Sequence, residues 1–152
     1  MGKNKALTGA AGEYYVAFQL SARGYAVGFT PRGTKSADLL VNNLETGKSA
    51  TIQVKTMANA FVPSKKWGPY WKWRVGVSRG QASKTFLYAF VDLKGNPSGP
   101  PDVFIVPSSE LPSLLENWKD SSGRVVDPWC NIEDKDAKSY RNRWVIVDNV
   151  LA

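Results

Sequence analysis

The first sign of chemistry in this 152-residue chain is a lysine at the end of Gln53-Val54-Lys55, inside the extended-looking run Ser49-Ala-Thr-Ile-Gln-Val-Lys-Thr56. Asp38 stands 15 residues before Gln53 at the head of another strand-like run, and Glu13 lies on a helix-like segment near the N-terminus. The chain contains no histidine. Ser-His and Cys-His nucleophile pairs, imidazole general bases and His-ligated zinc are therefore excluded. Any catalysis rests on carboxylates, lysine or a bound hard cation. Cys130, a single cysteine, forms no internal disulfide and offers no ligand spacing, which suits a small packed side chain in a reducing cytosol.

The elements around these residues decide whether they can meet. From Thr8 to Arg23, apolar and small residues recur with helical spacing at Leu7, Ala10, Ala11, Tyr14, Ala17, Phe18 and Ser21, with Val16 and Leu20 widening the stripe. Glu13 lines up with Val16, Ala17 and Leu20 on the inner side, where a carboxylate needs a partner or a metal. Gly24 suits a C-cap, Tyr25–Phe29 a short strand, residues 30–36 a turn, and Ala37–Val41 an apolar strand. The next turn, residues 42–47, leads into a strand over Ala50–Met57. Side chains alternate along a strand, so Thr51, Gln53, Lys55 and Met57 share one face.

Further along, strands are expected at Tyr70–Val75, Thr85–Asp92 and Asp102–Val106, with a short helix or turn over Ser78–Lys84. A helix is expected through Leu111, Leu114, Leu115 and Trp118, with Pro112 tolerated in its first turn. The acidic stretch Asp127–Lys138 reads as exposed, and Trp144–Val147 as a segment closing onto the domain.

Singly, a strand lysine is most often just exposed and a strand-start aspartate an end cap. In this order, however, Gly12-Glu13, Ala37-Asp38-Leu and Ile52-Gln-Val-Lys55 resemble the PD-(D/E)xK nuclease superfamily over roughly residues 8–90. The resemblance implies an α/β (α+β) fold with a restriction-endonuclease-like core, a mixed central sheet flanked by helices in the order α-β-β-β-(α)-β, and C-terminal additions. It is similar to the branch containing archaeal Holliday-junction resolvases and some restriction endonucleases, where the first helix also contributes a carboxylate. Glu13, Asp38, Gln53 and Lys55 would then be the catalytic set. A magnesium or manganese ion would be held by Glu13, Asp38, Gln53 and the carbonyl of Val54, because hard oxygen ligands suit these ions. Gln53 is the departure, a neutral amide where the motif carries an acid. The implied activity is a metal-dependent DNA endonuclease, with a non-cutting nuclease-fold module that binds nucleic acid or a protein as the alternative.

The net charge of +7 is uneven: residues 1–60 carry seven Lys/Arg and three Asp/Glu, residues 61–100 seven and one, and residues 101–152 six and nine. A basic surplus in the first hundred residues favours a nucleic-acid partner. Within Lys65-Lys-Trp-Gly-Pro-Tyr-Trp-Lys-Trp-Arg74, alternation assigns Trp71 and Trp73 to a packed face or interface. Lys65, Lys66, Lys72 and Arg74 are the phosphate-contact candidates, followed by Arg79 and Lys84. The length fits one nuclease-like domain over residues 1–152, with its core at about 8–106 and additions at 107–152. No apolar run nears the ~20 residues of a membrane span and no signal core follows Met-Gly-Lys-Asn-Lys, so a cytoplasmic protein without membrane association is expected, with a homodimer possible.

Overall fold

The computed structural model describes residues 4–76, 80–96 and 98–152. The chain opens with helix α1 (Lys5–Ala22), started by Asn4, whose side chain accepts the Ala6 N–H at 2.9 Å. Gly24 follows the helix at φ +92°, the left-handed geometry that ends a helix cheaply only in glycine, and strand β1 (Ala26–Phe29) begins two residues later. Strands β2 (Leu39–Asn42) and β3 (Ser49–Met57) complete an antiparallel meander.

Next come the short strand β4 (Phe61–Val62) and β5 (Tyr70–Arg74), then β6 (Phe86–Asp92) and β7 (Asp102–Pro107). The C-terminal part is α2 (Leu111–Leu114), β8 (Leu115–Lys119), β9 (Val125–Glu133), α3 (Asp134–Tyr140) and α4 (Val145–Leu151). A mixed five-stranded sheet runs β1-β2-β3-β6-β7, with β3 and β6 parallel, and a four-stranded sheet runs β4-β5-β9-β8. A parallel pair needs a crossover. Here the β4–β5 hairpin fills it, and among the described residues no helix lies between β3 and β6.

β6 explains how the layers join. All seven of its residues are buried. Leu87, Ala89 and Val91 face a first core with Val16, Leu20, Ile52, Val147 and Leu151, under α1 and α4. Phe86, Tyr88 and Phe90 face a second core with Trp71, Trp73, Phe104, Cys130 and Ile132, under the second sheet. A strand covered on both faces reads as a continuous apolar run. Trp73 is fully buried and donates its indole N–H to the Val91 carbonyl at 2.9 Å. Cys130 is packed there too, its thiol pushed up to about 12 by burial.

Three expectations need correction. The helix expected through Trp118 is one turn, Leu111–Leu114, after which the chain extends into β8. The acidic stretch is not simply exposed: its first part lies in β9, whose alternate residues Cys130 and Ile132 are fully buried. The buried stripe of α1 is Gly12, Val16, Ala17 and Leu20, whereas Leu7, Tyr14 and Phe18 are 69%, 66% and 62% exposed. The helix presses its smallest residue against β3 and thereby turns its aromatic residues outward. Among the described residues, no helix is long and apolar enough to cross a membrane.

Candidate active site

The site begins where α1 crosses β3. A Cβ added to Gly12 would lie 1.8 Å from Thr56 Oγ1, so only glycine permits this approach. The next residue, the half-buried Glu13, is held close enough to Asp38 to feel its charge.

Asp38 lies one residue before β2. Its backbone N–H donates to the Ile52 carbonyl at 2.9 Å, and its carbonyl accepts the Thr30 N–H at 3.0 Å. Beyond this rung β2 no longer lines β3, and the Asp38 side chain takes the vacated position. Oδ2 accepts the Val54 N–H at 2.8 Å and the Gln53 Nε2–H at 2.9 Å. Backbone groups of alternate strand residues face the same neighbour, so the Val54 carbonyl faces this open edge, as the Ile52 carbonyl faces β2. The β2–β3 register ends at Leu39 and Ile52, so the Asp38 carboxylate rather than its backbone meets Gln53 and Val54, and Lys55 follows on the Gln53 face of β3.

Electrostatics ties these groups together. Burial raises the Asp38 carboxyl above its ordinary value, opposed by the Val54 N–H and the charge of Lys55. Glu13 is also raised, by burial and then by the negative charge of Asp38, with Arg32 pulling the other way. Two carboxyl groups that repel each other in a partly dry setting favour a proton or a cation between them. Among the described residues no three His, Cys, Asp or Glu side chains converge. A third protein ligand would therefore be a neutral oxygen, from the Gln53 amide after a half-turn or from the Val54 carbonyl. An all-oxygen set of two carboxylates and neutral carbonyls fits a hard divalent cation.

Glu13, Asp38, Gln53, Val54 and Lys55 thus come together. The basic candidates do not form one patch with them. Trp71 and Trp73 point into the second core, so Lys72 and Arg74 point outward from the second sheet. Lys72 Nζ sits 5.0 Å from the Trp129 ring centroid, and Arg74 Nε pairs with Asp127 Oδ1 at 2.7 Å. Lys65 and Lys66 are exposed before β5, Lys66 lying over Trp67 at 4.9 Å. Lys84 is exposed in the loop entering β6, and Arg79 lies outside the described residues. Arg32, beside the carboxylates, escaped the sequence reading because Thr30-Pro-Arg-Gly33 carries strong turn chemistry. Its signal was a cation six residues before Asp38, in a turn that also carries Lys35.

The fold matches that of a bacterial homing endonuclease. The solved structure of that enzyme, I-Ssp6803I, aligns with a TM-score of 0.62 over 95% of this chain and 93% of its own, at 14% sequence identity. Such identity makes the likeness one of fold. No family model matches the chain, and no curated protein matches its sequence.

Proposed function

We propose that the chain is a divalent-cation-dependent endonuclease of the PD-(D/E)xK type, hydrolysing phosphodiester bonds in DNA. The observation carrying this reading is Asp38, held by Val54 and Gln53 at an open strand edge beside Glu13 and on the face of Lys55. Glu13 and Asp38 would hold magnesium or manganese with Gln53 Oε1 and the Val54 carbonyl. The cation supplies Lewis-acid charge at the phosphate. Lys55 donates from Nζ to a non-bridging phosphate oxygen and orients the attacking water, and Arg32 adds positive charge at the rim. Cutting both strands takes two such centres, as in a homodimer, or one centre acting twice.

One observation favours a second reading. Gln53 Nε2 satisfies Asp38 Oδ2 without a cation, an arrangement open to a nuclease-fold module that binds nucleic acid or a protein but does not cut. Calorimetric titration with manganese and magnesium, run beside cleavage of plasmid, single-stranded, branched and RNA substrates, separates the two. The nuclease reading expects binding that Asp38→Ala and Glu13→Ala abolish, together with metal-dependent cleavage. Absence of both metal binding and cleavage in the wild type leaves the binding module.

A further inference from the structure

The second sheet covers only the β6–β7 side of the first. Phe86, Tyr88, Phe90, Phe104 and Val106 are sealed beneath it and Met57 at the end of β3 packs against that core, whereas among the described residues the same face of β1, β2 and the start of β3 is left open. An open trough of about 530 Å³ lies there. Its floor follows the strand register: Gly28, Leu40 and Thr51 are paired across three strands, and Ala26, Asn42 and Ser49, two residues further on, are the next set on the same face. Leu40 is 50% exposed in mid-strand while its neighbours Leu39 and Val41 are buried on the opposite face.

We propose that this bare face is a track for the nucleotides adjoining the scissile phosphate, floored by Gly28, Leu40 and Thr51; it rests on the nuclease reading above. Three observations favour a nucleic-acid strand as the occupant. The trough shares its face with the candidate site: Gln53, bonded to Asp38, lies two residues from Thr51 along β3, about 7 Å away by strand geometry. That distance is two nucleotide rises. Among the described residues no charged side chain lines the trough, yet Lys84 adjoins its lining residue Thr85 and Lys48 adjoins Ser49. Cations at the rim meet phosphates, while an aliphatic and hydroxyl floor meets sugars and bases. Finally, the floor is kept low. A Cβ on Gly28 would touch nothing within 4 Å and its φ is not left-handed, so the fold itself does not require glycine there.

Gly28→Val therefore tests the track, since it fills the trough with a residue suited to a strand. Anisotropy of labelled single-stranded and duplex oligonucleotides, with calcium replacing magnesium to prevent cutting, reads the binding. The track expects Gly28→Val to weaken affinity roughly tenfold, with thermal midpoint and manganese binding unchanged. Leu40→Glu should weaken it further, and Leu44→Glu, the same charge in the exposed β2–β3 turn, much less. Wild-type affinity in both Gly28→Val and Leu40→Glu overturns the track and leaves the carboxylate centre standing. A sedimentation change in those variants with oligonucleotide affinity intact makes the face a protein interface and overturns it too. A wild type that binds neither manganese nor any oligonucleotide fails at the nuclease reading itself.

Discussion

Asp38 Oδ2 accepts the Val54 amide at 2.8 Å, so a carboxylate occupies the position along β3 that a further β2 residue would otherwise fill. Asn at 38 keeps an acceptor for that amide and removes the charge. Glu13 and Asp38 are both raised above their ordinary values of 4.5 and 3.8, so the folded state holds their protons more tightly than the unfolded chain. Stability from this source is fully present below those ordinary values and is lost as pH rises through the folded ones. Metal-free Asp38→Asn should therefore melt above the wild type at neutral pH, and the advantage should vanish in acid. Thermal melts across pH with a chelator present check this, and added manganese should raise the wild-type midpoint alone.

Gln53→Glu replaces the amide that donates to Asp38 with a third carboxylate. Repulsion should lower the metal-free melting point, while manganese should bind about tenfold more tightly and recover the loss. Paired calorimetry and melting measure both effects on the same protein.

Gly12→Ala should destabilise by about 1–3 kcal/mol through overpacking against Thr56. An interior helical Gly→Ala change otherwise gains up to ~1 kcal/mol, so the sign alone is informative. Denaturant unfolding gives the sign. Displacement of Glu13 should appear as weakened manganese binding, partly restored by Thr56→Ala.

The tryptophans divide by depth. Trp73 is fully buried, bonded to Val91 and packed on Phe90 and Phe104, so Trp73→Ala should cost about 3–5 kcal/mol. Trp67 is 75% exposed, and Trp67→Ala should stay within about 0.5 kcal/mol. Urea unfolding of the two variants checks the contrast.

The helix and the three strands after it were legible because Val16 and Leu20, Leu39 and Val41, and Ile52 and Val54 follow the periods of their elements closely. Glu13, Asp38, Gln53 and Lys55 could be ordered from sequence for the same reason. The bond from Val54 to Asp38 could not be read, since it depends on where β2 stops against β3. The outward face of α1 was misread because Leu7, Tyr14 and Phe18 are the larger apolar residues, whereas Gly12 sets the rotation by close approach to Thr56. In β9, Cys130 and Ile132 alternate with polar residues, but the surrounding acids masked that period of two. Leu114 and Leu115 looked helical although the helix ends between them.

Manganese-dependent nicking of supercoiled plasmid by wild type and Lys55→Ala, with DNA affinity measured in parallel, bears most directly on catalysis at this site. Lys55 belongs to the transition state more than to binding, so the substitution should slow nicking by roughly a hundredfold or more, with affinity changed by no more than about threefold. Nicking by Lys55→Ala at the wild-type rate would contradict a catalytic centre built on Asp38 and Lys55.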